Sequence, residues 1–148
     1  MIELRRLSDL EQLIAWRREV LQCVFGFPPD DALMEANRRF FVYHIADDSH
    51  IAVIANVDGA EAGCGAVCYY DEMPSPDNPS GRCAYIMNIY VREAFRHEGI
   101  ATAIIKYLIG AARNCRCGKI YLETTDMGRD VYAAIGFRDM IDMMKYED

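Results

Sequence analysis

The part of the chain best equipped for chemistry is Asn88-Ile89-Tyr90-Val91-Arg92-Glu93-Ala94-Phe95-Arg96-His97-Glu98-Gly99-Ile100-Ala101. An apolar run gives way to a short charged loop, and Gly99 opens a long amphipathic segment. The first turn of an α-helix carries backbone N–H groups without intrahelical partners, and the helix dipole adds positive potential there. Gly99 and Ala101 leave that backbone approachable and Arg96 adds a cation, so the pattern suits a phosphate or pyrophosphate. It is not a Walker A loop, because no Gly-Lys-Ser/Thr follows, nor a Gly-x-Gly-x-x-Gly turn. The same residues read equally as an ordinary helix start beside a solvated arginine. Metal chemistry is not expected. Cys115-Arg116-Cys117 lacks a second pair at zinc-ligand spacing, and His44, His50 and His97 do not cluster near it.

The elements that must position this stretch follow from patterning. Ile2 to Leu7 alternates as a half-buried strand does. Ser8 and Glu11 have capping-box spacing for a first helix with Leu10, Leu13, Ile14, Leu21 and Val24 on its apolar stripe. Gly26 to Asp31 breaks that helix and caps a second, which carries Leu33, Asn37, Phe40, Phe41 and His44. His50–Val57 and Gly63–Tyr70 read as strands around an Asp58-Gly59 turn, and Cys83–Val91 as the next strand. Met73 to Gly81 holds three prolines and reads as a mobile loop. Gly99 to Asn114 is the cleanest helix, with Gly118 able to end it. Then come a strand over Lys119–Thr124, a short helix from Asp126 to Gly136, and a last strand over Asp139–Tyr146. Hairpin-linked strands plus one crossover of helix length indicate a single α+β (mixed α/β) layered domain over residues 1–148.

Composition narrows the function classes. With 148 residues, 52% hydrophobic and 26% charged, the chain can bury a normal core and is neither disordered nor low in complexity. No apolar run is long enough to cross a membrane. Six cysteines without a secretory leader read as reduced thiols in a cytoplasmic protein. A net charge of −7 leans against nucleic acid and toward a cationic small molecule or basic peptide.

Arg96-x-x-Gly99-x-Ala101 after a strand resembles the Arg/Gln-x-x-Gly-x-Gly/Ala signature of the GNAT-type N-acetyltransferase superfamily. Tyr132-Ala133-Ala134-Ile135-Gly136-Phe137 is similar to that family's second signature, and the order of elements fits over essentially the whole chain. The resemblance implies a mostly antiparallel mixed sheet splayed between strands 4 and 5, with helices on both faces. It implies acetyl-CoA as co-substrate and transfer of its acetyl group to a primary amine of a small molecule or peptide by direct attack on the thioester. Backbone groups of Ile89, Tyr90 and Val91 would pair with the pantetheine arm. The loop Arg96, His97, Glu98, Gly99, Ile100 and Ala101, with Thr102, would hold the pyrophosphate. Tyr132 would protonate the leaving thiolate; a thiol near ~8.5 and a phenol near ~10 make that transfer only mildly uphill. Thr125 stands where the family often has asparagine against the arm, and Gly128 matches a small residue that lets the helix approach it.

The resemblance leaves the general base open. Asn88 cannot serve, and the candidates are Glu123 on the fifth strand and Glu72 near the third. The acceptor would lie across the splay, walled by Phe25 to Pro29 with Asn37 and Arg38, and the Pro74–Pro79 loop could form a lid. A free amino acid, polyamine, aminoglycoside, peptide N-terminus or lysine would all qualify. Homodimers are common in the family, and Met140, Met143 and Met144 suit either a subunit contact or a core face. The alternative from another class is a catalytically silent acyl-CoA-binding sensor or interaction module.

Overall fold

The computed structural model describes residues 1–148. In chain order the elements are β1 (Ile2–Leu7), α1 (Leu10–Phe25), α2 (Asp31–Ala46), β2 (His50–Val57), β3 (Ala60–Asp71), β4 (Arg82–Val91), a 3-10 turn (Glu93–Phe95), α3 (Ile100–Asn114), β5 (Lys119–Leu122) and α4 (Asp126–Ile135). They form one sheet in the order β1-β2-β3-β4-β5. Its first four strands are antiparallel neighbours, and β5 lies parallel to β4. A parallel pair needs a crossover, and α3 supplies it. No helix is long and apolar enough to cross a membrane.

Strand alternation divides the apolar residues between two faces. On one face Ala52, Ile54 and Cys64 pack under α1 and α2 with Leu13, Trp16, Val20 and Phe41. On the other, Val53, Val67 and Ile86 pack under α3 through Ile100, Ile104 and Leu108. α1 starts one residue later than the capping-box spacing suggests. Asp9 is its N-cap and accepts from Gln12 N at 2.9 Å, a carboxylate being a stronger acceptor at the dipole's positive end than a serine hydroxyl. Asp30 caps α2 in the same way, through Leu33 N at 2.8 Å. Trp16 and Val20 join the buried face of α1, while Val24 is 65% exposed.

Two features of β4 shape the site. Its pairing with β5 covers only Cys83–Ile86 against Lys119–Leu122, so β4 runs on from Met87 to Val91 without that neighbour. This is the splay expected between strands 4 and 5. At the same point the ladder to β3 is irregular: Cys64 faces Tyr90 and Ala66 faces Met87, so Asn88 and Ile89 together oppose Gly65. Asn88 takes φ 60 at this bulge. A bulge bends its strand and re-aims side chains.

Three local expectations change. Residues 139–146 form no strand: the outer edge of β5 is open, but this segment does not pair with it. It is tied to α4 by an Arg129–Asp139 ion pair. The proline-rich loop is pinned rather than mobile. Asn78, 2% exposed, donates from Nδ2 to Arg82 O at 3.1 Å and to Glu72 Oε1 at 3.2 Å. Ser80 Oγ then ties the loop to Arg116 O at 3.0 Å. Finally, the left-handed residue after α3 is Arg116, at φ 60, and not Gly118.

Candidate active site

The mouth of α3 lies directly beyond the splayed end of β4. Arg96 is held there by its own strand, its Nε donating to Val91 O at 3.0 Å. His97 and Gly99 both take positive φ, 66° and 81°, which turns the loop sharply into the helix. Ile100 is 1% exposed and anchors the first turn in the core. Ala103 N is the first amide of the helix to find a partner, Gly99 O at 3.1 Å. The amides of His97, Glu98, Gly99, Ile100, Ala101 and Thr102 donate to no protein atom. No atom lies within 4 Å of where a Cβ on Gly99 would sit, so the space before these donors is open.

The end of β4 is fixed by its side chains, which leaves its backbone edge uncovered. Ile89 and Val91 pack on the α3 side, and Tyr90 packs on the α1 side edge-on to Trp16 at 6.3 Å between centroids. Arg92 lies over Trp16 at 4.3 Å and meets both carboxylate oxygens of Glu19 at 2.9 Å. Burial and the neighbouring Glu19 push the Tyr90 hydroxyl up to about 12.

α4 carries the second group. Thr125 is its N-cap residue but makes no side-chain cap bond, so its hydroxyl is uncommitted. Gly128 is required by close packing: a Cβ there would come within 2.8 Å of Thr124 Oγ1 and 3.1 Å of the Tyr132 ring. That ring lies against Gly128 and meets Phe137 edge-on at 6.0 Å. Burial pushes the Tyr132 hydroxyl above its ordinary range, so it is protonated at neutral pH. Tyr132 lines an open cleft of about 1100 Å³ with Leu122, Glu123, Phe137 and Met143. Neither Ile89–Val91 nor Arg96–Thr102 lines this cleft, so the expected site residues fall into two groups.

A smaller cavity of about 240 Å³ opens on the α1/α2 side of the sheet, ending at Met87 and Asn88. Arg17 reaches into it from α1. Its Nε donates to Asn37 Oδ1 at 3.0 Å and its Nη1 to Asn88 Oδ1 at 2.8 Å. His50, 4% exposed, places Nδ1 3.3 Å from Cys68 Sγ, and its Nε2 has no partner. Burial lowers His50 to about 4, and raises the Cys68 thiol to about 11. At neutral pH the imidazole is therefore neutral and the thiol protonated.

The family model described as "Acetyltransferase (GNAT) family" matches residues 10–137. The chain belongs to the GNAT acetyltransferase family. A solved relative, a predicted acetyltransferase from Clostridium acetobutylicum crystallised with acetyl-CoA, is 27% identical with a TM-score of 0.88, over 99% of this chain and 96% of that one. A GCN5-related N-acetyltransferase from Ralstonia eutropha is 25% identical with a TM-score of 0.79, over 99% of each chain. A thialysine N-epsilon-acetyltransferase from Bos taurus is 30% identical over 93 residues, 61% of this chain. The chain spans about half the length of that curated relative, 55%.

In this GNAT chain several of the residues that shape the site carry no motif. Trp16, Glu19 and Arg92, which fix β4, and Arg17, His50 and Cys68, which build the cavity, are ordinary helix and strand residues until the sheet assembles. Asn37, as part of the acceptor wall, and Asn88, at the head of the charged stretch, are the cavity residues legible in the sequence. The two carboxylates weighed as bases differ. Glu72 is engaged by Asn78 and by Lys119 at 3.4 Å, and the Asn78 bond holds it below the usual carboxylate range. Glu123 is exposed and lies near Tyr85, whose hydroxyl burial and then Glu123 push up to about 12.

Proposed function

We propose that the chain transfers an acetyl group from acetyl-CoA to a primary amine by direct attack of the amine on the thioester. The observation that carries this reading is the continuity of an unpaired β4 edge with six uncommitted amides at the mouth of α3. The residues fit the cofactor. An extended amide-bearing arm matches a strand edge that lacks its next neighbour, as in strand addition. A diphosphate matches a row of N–H donors at a helix start with open space before Gly99. In this reading the backbone of Ile89, Tyr90 and Val91 holds the arm, and Arg96 through Thr102 hold the diphosphate. Thr125 offers its hydroxyl to the arm, while Gly128 lets the Tyr132 ring lie close.

When bound, acetyl-CoA supplies an activated acyl group on a sulfur able to leave. The protein positions that group and manages protons. Amides of β4 past the bulge can polarise the acyl oxygen, as donors aimed at a developing charge do. Tyr132 Oη gives its proton to the departing sulfur. Its raised pKa keeps the proton in place at neutral pH, and makes complete transfer harder than for a free phenol. Glu123, unlike Glu72, is free to accept the amine proton directly or through water.

The curated relative named for acetylating thialysine supports a small amine as acceptor. The proposal treats residues 1–148 as one working domain in a cytoplasmic setting, with which the buried thiols of Cys64 and Cys83 are compatible. A homodimer through the C-terminal residues is part of it, since Ile141 and Met144 are 88% and 99% exposed.

The test is thiol release from acetyl-CoA across a panel of amines, with calorimetry of CoA binding alongside. Amine-dependent release that collapses in Tyr132→Phe is the expected result. Tight CoA binding with no release on any amine would make the protein a silent acyl-CoA-binding module instead.

A further inference from the structure

Given the acetyl transfer proposed above, we propose that the acceptor amine carries a carboxylate, which Arg17 and His50 bind in the cavity beside Asn88. Arg17 is a part-buried cation without a counter-ion: no carboxylate of the protein lies within ion-pair distance of it. Asn37 and Asn88 orient its guanidinium through neutral amide oxygens, which do not cancel its charge. Two of its N–H groups are used there, and the remainder of the planar fork is uncommitted. A cation held out of water is costly unless something pairs with it.

His50 provides the second donor. The Cys68 thiol has two neighbouring acceptors, His50 Nδ1 at 3.3 Å and Met87 Sδ at 3.7 Å. An imidazole nitrogen accepts far better than a thioether, so the S–H points to Nδ1. The proton of the neutral ring then sits on Nε2, the buried atom without a partner. Asn88 spends its Oδ1 on Arg17 and keeps Nδ2 as a further donor. Every strong polar group left over in this cavity therefore donates, and no aspartate or glutamate lines it. Phe40, Phe41 and Met87 make the rest of the wall apolar, which strengthens charged hydrogen bonds. The matching ligand group is a small anion.

Charge and size select a carboxylate on a small amine. One guanidinium balances one negative charge, whereas a phosphate dianion would add a second to a chain already at −7. A cavity of about 240 Å³ falls short of the roughly 300–1,000 Å³ of drug-sized ligand sites, which disfavours an aminoglycoside or a folded peptide. The cavity ends at Met87 and Asn88, where β4 leaves β5, so a carboxylate at Arg17 would leave the amine to extend toward the splay. A diamino monocarboxylic acid, net charge plus one, satisfies both the anion site and the acidic surface.

The experiment uses the full chain with acetyl-CoA and a series of α,ω-diamino acids, each paired with its amide and its decarboxylated diamine. An aminoalkyl phosphate provides the other anion. The expected kcat/KM favours the best diamino acid over both counterparts by about 10- to 100-fold, the value of a charge-assisted hydrogen bond. Arg17→Met should erase that preference. Should Arg17→Met fail to fold, Asn37→Asp places an internal carboxylate on the guanidinium and should erase it too. No preference in the wild type, a preference that survives both variants, or a higher rate on the aminoalkyl phosphate would overturn the proposal. Calorimetric binding of the diamino acid to the CoA-loaded protein separates this from the transfer reading. Arg17-dependent binding without turnover on any amine keeps the anion site and removes acetyl transfer. Turnover of amines without carboxylate preference does the reverse, and neither binding nor turnover removes both.

Discussion

The mouth of α3 is built from consecutive residues, Arg96 to Thr102, and presents backbone amides. The cavity beside Asn88 is built from Arg17 of α1, Asn37 of α2, His50 of β2, Cys68 of β3 and Asn88 of β4, and presents side chains. Both flank the same end of β4. The mouth needs little of its side chains beyond small size and one arginine, because its donors are peptide groups that any residue supplies. The cavity depends on the identity of each contributor, because its donors exist only where those side chains converge. In the proposed reading the first region would hold the cofactor and the second the acceptor.

The comparison breaks first at Tyr132, which belongs with the chain-local signatures. Tyr132→Phe should lower kcat by about 10²–10⁴-fold, the usual worth of a positioned proton donor, with little change in the Michaelis constant for acetyl-CoA. Because burial raises its pKa, the hydroxyl keeps its proton through the mildly alkaline range, and kcat should show no tyrosine-dependent fall below about pH 10. An unchanged kcat in the phenylalanine variant removes Tyr132 from the reaction.

The cavity side is sharpened by acid titration. His50 falls from 6.5 to about 4 on folding, so between those values the unfolded chain binds the extra proton. Stability from this residue is complete above about 6.5 and is lost as the pH falls toward 4, on the order of 3 kcal/mol in all. Urea titrations at stepped pH should show this acid limb in the wild type and a flatter one in His50→Gln. Equal limbs would mean that the cavity is wetter than its burial indicates.

Asn78 lies in neither region and serves as the control. Asn78→Ala should cost roughly 2 kcal/mol of stability, from stranded buried partners, and leave both Michaelis constants unchanged. A change in amine specificity would tie the 73–81 loop to the acceptor side. The smallest effect is expected at Gly99. A valine there must adopt a φ near +81° and intrude on the open space before the amides. The Michaelis constant for acetyl-CoA should rise about tenfold, about 1.4 kcal/mol, with kcat less affected. Unchanged CoA affinity by calorimetry would remove the mouth from cofactor binding.

How legible each region was follows from the same difference. Strand alternation, the long amphipathic run after Gly99 and the helix-breaking Gly26 specify local geometry that neighbouring residues enforce, so β2, β4 and α3 were readable to within a residue or two. Arg96, Gly99 and Tyr132 were readable because their spacing is fixed along the chain. The strand expected over 139–146 is absent because alternation along one segment does not bring that segment to an edge, and the outer edge of β5 stays unpaired. The loop over 73–81 was misread for a related reason: three prolines exclude regular structure but say nothing of the buried Asn78 that pins it.

The chain's residues by themselves determined the class of fold, the helix whose first turn is bare of partners, and the tyrosine four positions before Gly136. Tertiary structure alone decided that β5 stops pairing at Ile86, that a bulge turns Asn88 toward Arg17, and that His50 holds a buried nitrogen with nothing to bond. Arg17 and Asn88 stand 71 positions apart. Local sequence governs dihedral angles and periodicity over a few residues, whereas a converging set of donors exists only after the sheet brings distant segments within hydrogen-bond reach.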